Sequence, residues 1–134
     1  MNFTVKKHSK EHFFDTYIKW CIEHKFPTIT IDWFPENVFV SYNENDEPCY
    51  CCWFWHTDSK LAWIGFPCSN KQVKFRDREG GLDALYEYIS KYAKKKNYTT
   101  IITTSGREET DNVCKNTGYV LGDENVNHYL KNLK

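Results

Sequence analysis

The sequence predicts a mixed α/β (α+β) fold: a mostly antiparallel, twisted sheet with one central β-α-β crossover. Three observations carry this. β-Rich runs at residues 38–42, 49–56 and 61–66 follow one another through tight turns, the pattern of an antiparallel meander. Leu82, Leu85, Tyr86, Ile89 and Ala93 then recur at helical spacing. The next β-rich run, residues 99–104, has no partner within hairpin reach. A strand–helix–strand passage of that length implies a right-handed crossover and a parallel neighbour, most simply the 61–66 strand.

The elements follow in order. Residues 3–7 read as a short first strand, and Ser9 as the N-cap of a helix from Lys10 to about His24. Phe13, Tyr17, Trp20 and Cys21, with Phe14, Ile18 and Ile22, form its apolar stripe, and Pro27 stops it. His12 and His24 read as exposed helix residues. Residues 28–37 mix the alternation of Ile29 and Ile31 with Pro35 and two acids, which favours a loop with aromatic side chains turned into the core. The turn Asn-Glu-Asn-Asp-Glu at 43–47 separates the first two meander strands, and Thr-Asp-Ser-Lys at 57–60 the next two. A hairpin closing at Asp58–Ser59 places Trp53 and Cys52 opposite Ile64 and Gly65. Gly65 permits a bulge and Pro67 removes a ladder donor, so pairing on that edge should fail there. Lys71, Lys74, Arg76 and Arg78 lead through Gly80 and Gly81 into the central helix. Free N–H groups at a helix start beside several cations suit an anion. A short helix at 108–116 ends at Gly118, and residues 119–121 and 127–133 read as a terminal hairpin.

The totals narrow the function. The chain has 134 residues, the length of one domain (1–134), with 18 basic and 18 acidic side chains. Zero net charge gives no global attraction to nucleic acid or to an anionic membrane; nucleic acid stays open as a partner through local patches. No apolar run is long enough to span a bilayer, and the first ten residues lack the apolar core of a signal peptide, so a cytoplasmic chain is expected. Its six cysteines should then be thiols. Cys49-x-Cys51-Cys52 lacks a second matching pair, and strand geometry turns Cys52 away from the other two; no metal site is expected.

The order of elements, the segment from Gly80 to Tyr119 with its Asn-Thr-Gly-Tyr-Val, and the closing Asn-Val-Asn-His-Tyr-Leu-Lys-Asn-Leu together resemble the Gcn5-related N-acetyltransferase family. The resemblance covers almost the whole chain by element order. It implies that the crossover strands splay apart as a parallel pair at a bulge, with the pantetheine arm of acetyl-CoA in the gap. It implies that Ile64, Gly65 and Phe66 border that arm, and that the pyrophosphate rests on the loop holding Arg76, Arg78, Glu79, Gly80 and Gly81. Lys71 and Lys74 would reach the outer phosphate if the loop folds back. The family's loop pattern, Q/R-x-x-G-x-G/A, is met at Gly80, while Asp77 stands where a cation is usual and Leu82 where a small residue is usual. An asparagine common after the fifth strand is replaced by Ser105, Gly106 and Arg107.

In many members a tyrosine four residues before the glycine of the Gly-Phe pair protonates the leaving thiolate; Cys114 stands there, with an ordinary thiol pKa of about 8.5. A general base is drawn from Asp32, Glu36, His56 and His128, of which His128 has the most suitable ordinary pKa. Asp32, Trp33 and Glu36 make a rim for the acceptor. Two functions follow from these readings. One is an acyl-CoA-dependent N-acyltransferase, acting without metal on an amine-bearing small molecule or protein, as a monomer or homodimer. The other is a scaffold that has lost cofactor use and serves binding alone.

Overall fold

The computed structural model describes residues 2–27 and 29–133. Its centre is a five-stranded sheet in the order β1-β2-β3-β4-β5. The strands are β1 (Thr4–Ser9), β2 (Asn37–Tyr42), β3 (Pro48–Trp55), β4 (Leu61–Ser69) and β5 (Thr100–Ile102). The first four pair antiparallel; β5 runs parallel to β4, with Leu61, Ala62 and Trp63 opposite Thr100, Ile101 and Ile102. The helices are α1 (Lys10–Glu23), the single turn α2 (Phe75–Arg78), the crossover helix α3 (Gly81–Lys95) and α4 (Glu108–Asn116). This is the predicted mixed sheet with its β-α-β crossover.

Local signals explain the helix ends. The Ser9 hydroxyl accepts the His12 N–H at 3.2 Å, the N-cap bond expected at the start of α1. Gly118 takes φ +89°, and the Tyr119 N–H reaches the Cys114 carbonyl at 2.9 Å, closing α4 in a glycine-ended cap.

Successive strand residues face opposite sides, so the sheet feeds two cores. Phe39, Cys52, Phe54 and Ile64 pack with Leu85, Tyr86 and Ile89 of α3. Val38, Val40, Cys51 and Trp53 pack with Phe13, Tyr17, Trp20 and Cys21 of α1 and with Phe34. Coverage on both sides is why β3 carries large residues without a polar face.

Several expectations are corrected. The β3–β4 hairpin is one residue out of the predicted register: Phe54 lies opposite Ile64 and Trp53 opposite Gly65. The Thr57 hydroxyl bonds Ser59 and Leu61, giving the connection its own geometry. A one-residue slip exchanges the faces of every side chain, so register decides which thiols share a core. Ile22, predicted in the α1 stripe, is 59% exposed. Of the stretch 28–37, Thr28 lies outside the described residues, and Ile31–Trp33 form a 3-10 turn. The terminal hairpin is absent: residues 119–133 add no strand to the described sheet, and Val120 and Leu130 are 91% and 81% exposed. Alternating side chains supply a strand's faces but not an edge to pair with, and β5 offers only three residues.

Candidate functional site

The site is built where β4 loses its neighbours. On β3, Cys52 alone separates the paired residues Cys51 and Trp53; on β4, Phe66 and Pro67 separate their partners Cys68 and Gly65. Two residues opposite one make a β-bulge. The sequence pointed to Gly65 as the residue that permits it, but the positive φ, +52°, belongs to Phe66. A left-handed backbone costs a non-glycine residue about 1–2 kcal/mol. The ring packs against Phe34 and Trp55, at centroid distances of 5.4 and 5.9 Å, which offsets part of that cost. On the other edge, β5 leaves β4 after Ile102, and the Thr103 hydroxyl makes a last bond to the Ile64 carbonyl at 2.9 Å. Beyond that point the two strands are apart, as the proline and the resemblance both implied. Gly65 remains tied to its own sheet, its carbonyl accepting from the Cys52 thiol at 3.6 Å.

The parting opens a cavity of about 370 Å³. Tyr50 and Leu82 reach it from the α3 core, Tyr17 and Cys21 from the α1 core, so it passes between the two faces of the sheet. Residues 66–69 and 104–107 form its two long walls.

One end meets the start of α3. Gly80 has φ +90°, a conformation only glycine adopts without strain, and turns the chain from α2 into α3. Gly81 lies against the sheet so closely that a Cβ would stand 3.0 Å from Tyr50, 3.1 Å from Phe3 and 3.3 Å from the Ser41 hydroxyl. Ala84 is the first α3 residue whose N–H reaches a backbone acceptor, the Gly80 carbonyl at 3.0 Å. The N–H groups from Gly80 to Asp83 are the unpaired start of the helix, with the positive end of its dipole behind them. Leu82 is buried and lines the cavity.

The charged loop is arranged differently from its sequence reading. Arg76 is exposed beside this helix start. Arg78 is half-buried, and its guanidinium donates to the Val73 carbonyl at 2.7 Å, which makes it a brace for the loop. The Glu79 N–H is engaged by Phe75 at 2.8 Å. Lys71 is drawn toward α1, donating to the Glu23 carbonyl at 3.4 Å, and Lys74 is exposed. The Asp77 carbonyl is held by the Asn43 amide at 3.1 Å.

The other end of the cavity belongs to α1. Tyr17, Cys21 and His24 line it at spacings of four and three residues, one face of the last two turns. The sequence predicts His24 as an exposed helix residue; instead its Nε2 lies 2.9 Å from both the carbonyl and the hydroxyl of Ser69 and its ring stacks on Phe26 at 4.9 Å. The signal was present in the spacing of Tyr17, Cys21 and His24. Across the mouth the Arg107 guanidinium sits 4.1 Å over the Phe26 ring. The Tyr50 hydroxyl donates to Glu109 at 3.2 Å, and burial, then the Glu109 charge, pushes it up to about 12, so it keeps its proton at neutral pH.

The remaining named residues lie elsewhere. Cys114 is half-buried on the inner face of α4, and burial, then Asp111, raises its thiol. His128 is exposed in the C-terminal segment, and His56 bonds Tyr92 at 3.2 Å, away from the cavity lining. Asp32 and Trp33 are exposed on the 3-10 turn and Glu36 just after it; none lines the cavity. The residues of that connection which do are Phe26, Pro27 and Ile29. Among the described residues no three His, Cys, Asp or Glu side chains gather as metal ligands, and no helix is long and apolar enough to cross a membrane.

No protein-family sequence model matches the chain, and no curated protein matches it in sequence. Solved structures do match. An aminoglycoside acetyltransferase from an uncultured soil metagenomic sample, solved with sisomicin, superposes with a TM-score of 0.68 at 14% identity, covering 98% of this chain and 97% of its own. A structure described as a probable acetyltransferase has a TM-score of 0.71 at 10% identity, covering 98% and 99%. Glucosamine-6-phosphate N-acetyltransferase from Arabidopsis thaliana has a TM-score of 0.64 at 11% identity, covering 98% and 100%. At such identities the likeness is one of fold, and with the parted β4–β5 pair and the crossover helix between them it shows that the chain has the Gcn5-related N-acetyltransferase fold.

Proposed function

We propose that the protein is an acetyl-CoA-dependent N-acetyltransferase acting on an amine-bearing small molecule or protein. The observation that carries this reading is the cavity between β4 and β5, open beside a helix start whose N–H groups are unpaired. A pantetheine arm is a chain of amides, and the separated strand edges offer it the bonds a missing strand would make. The pyrophosphate would rest on the N–H groups of Gly80 to Asp83, with Arg76 an exposed cation of the loop beside them. The thioester then lies at the bulge, where backbone N–H groups of the distorted strand polarise its carbonyl. The amine enters from the α1 side, between Phe26 and the wall at residues 66–69. It attacks the carbonyl carbon, the tetrahedral oxyanion collapses, and the carbon–sulfur bond breaks to release the CoA thiolate.

The proton leaving the amine goes to His24. With Nε2 donating to the Ser69 carbonyl, the neutral ring leaves Nδ1 as the acceptor. Tyr50, protonated and at the cavity wall, is the donor for the thiolate.

Calorimetric titration with acetyl-CoA and CoA tests the reading. Both should bind with micromolar dissociation constants, and Arg76→Glu should weaken both about tenfold while leaving the far-UV spectrum unchanged. No heat at high micromolar cofactor would overturn the reading in favour of a scaffold that binds without cofactor. Release of CoA thiol on addition of amine panels then identifies the acceptor, and His24→Gln should lower kcat with little change in the binding of acetyl-CoA.

A further inference from the structure

The α1 side of the cavity wall contains a thiol pair that neither the fold nor the proposed transfer requires. Cys21 comes from the last turn of α1 and Cys68 from β4, just past the bulge, and both border the cavity. They pack in one buried cluster with Tyr17, and each thiol shifts the pKa of the other. The backbones that carry them are tied beside this cluster by the bonds from His24 to Ser69, three residues after Cys21 and one after Cys68. We propose that Cys21 and Cys68 form an oxidation site for hydrogen peroxide, whose disulfide joins α1 to β4 and closes the α1 end of the cavity.

The chemistry assigns different parts to the two thiols. The neighbouring Cys68 thiol lowers the pKa of Cys21, whereas Cys21, then burial, raises that of Cys68. Cys21 is therefore the thiolate that attacks. Its sulfur displaces hydroxide from peroxide, the O–O bond breaks, and a sulfenic acid forms. The Cys68 thiol then attacks that sulfur, the S–O bond breaks, and water leaves with the Cys68 proton. In total, two thiols and one peroxide give one disulfide and two waters.

The third thiol of this core explains why the cavity matters. Cys51 lies directly opposite Cys68 across the β3–β4 ladder. It is 0% exposed, does not line the cavity, and burial raises its pKa strongly. Peroxide, little larger than water, reaches Cys21 and Cys68 through the cavity and has no such route to Cys51. Cys52 and Cys114 belong to the opposite, α3 core.

Peroxide treatment of the whole chain, alkylation of remaining thiols and non-reducing peptide mapping give the test. The expected product is a Cys21–Cys68 disulfide. In Cys68→Ser the reaction should stop at a Cys21 sulfenic acid, captured by dimedone; in Cys21→Ser no disulfide should form. A Cys51–Cys68 or Cys52–Cys114 product, or a Cys21 still open to alkylation after Cys114 has been oxidised, would overturn the assignment. Closure of the cavity rests on the cofactor reading above. If reduced protein binds acetyl-CoA, oxidation should weaken it about tenfold or more, reversed by dithiothreitol. Equal binding before and after oxidation would overturn the closure. Absence of binding in the reduced protein would defeat the cofactor reading instead, with the peptide map still deciding the thiol site.

Discussion

The two faces of the sheet are packed by different rules. On one, α3 is seated closely: Leu85, Tyr86 and Ile89 are fully buried, and a Cβ at Gly81 would stand 3.0 Å from Tyr50. On the other, α1 is held by a dense aromatic cluster around Trp53, but its last turn stands over the bulge, where the cavity opens. The α3 face supplies rigidity and the helix start; the α1 face supplies space. The proposed transfer, which holds an anion in a fixed place and admits a second molecule, would use both.

The contrast is open to direct test. The largest effect should come from Leu85→Ala, which empties a closed core and should cost about 2–5 kcal/mol in urea denaturation. Ile29→Ala, on the half-buried cavity wall, should cost less than about 1 kcal/mol. Equal losses would mean that the α1 face is as closed as the other.

Next is Gly81→Ala, whose methyl group meets Tyr50 and Phe3 at 3.0 and 3.1 Å and should cost about 1–3 kcal/mol by overpacking. Gly80→Ala has room, with its nearest neighbour at 3.6 Å, so its cost, about 1 kcal/mol, should come from the left-handed backbone. Reversal of that order in thermal melts would place the constraint in the turn and not in the seating of α3.

A smaller effect concerns Ser41, whose fully buried hydroxyl has no hydrogen-bond partner in the space beside Gly81. Ser41→Ala should leave stability unchanged or raise it by up to about 1 kcal/mol. A clear loss in chemical denaturation would reveal a partner for that hydroxyl and loosen the picture of a sealed face.

The smallest is a pH effect shared by the two faces. Burial, then His12 and Lys6, lowers the pKa of His8, which packs on Phe13 and Tyr42. Burial, then Lys96 and Lys7, lowers that of His56, which packs on Phe54 and Tyr92. Each folded pKa lies below the ordinary 6.5, so the unfolded chain binds the proton first. Stability is therefore full above pH 6.5 and is lost as pH falls through the folded pKa. His8→Gln and His56→Gln should each flatten the fall in urea midpoint between about pH 7 and pH 5. An unchanged slope would show that the ring concerned is solvated as in the unfolded chain.

Much of the fold was legible because its signals are local. Ser9, the heptad-like stripe of α3 and Gly118 each act within one or two turns, and the structure reproduces the helices they bound. The crossover was legible by elimination, since residues 99–104 had no near partner. Pro67 marked where β4 would lose a neighbour. The candidate site was less legible. His24 and Cys68 are 44 residues apart in sequence, and only the β3–β4 register and the bulge bring Ser69 to the imidazole. Arg78 looked like a free cation because its charge is visible in sequence, while the Val73 carbonyl it braces is not.

What the amino-acid sequence determined by itself was the order of the five sheet strands and the three longer helices, because propensity, periodicity and capping operate within a few residues of chain. Register, bulge geometry and the pairing of edges were decided only by the tertiary structure. These depend on which backbone groups meet across the sheet, and a shift of one residue, as between Trp53 and Phe54 opposite Ile64, exchanges the two faces. The same rule leaves residues 119–133 without a strand despite their alternation, since a ladder needs a partner edge as well as a pattern.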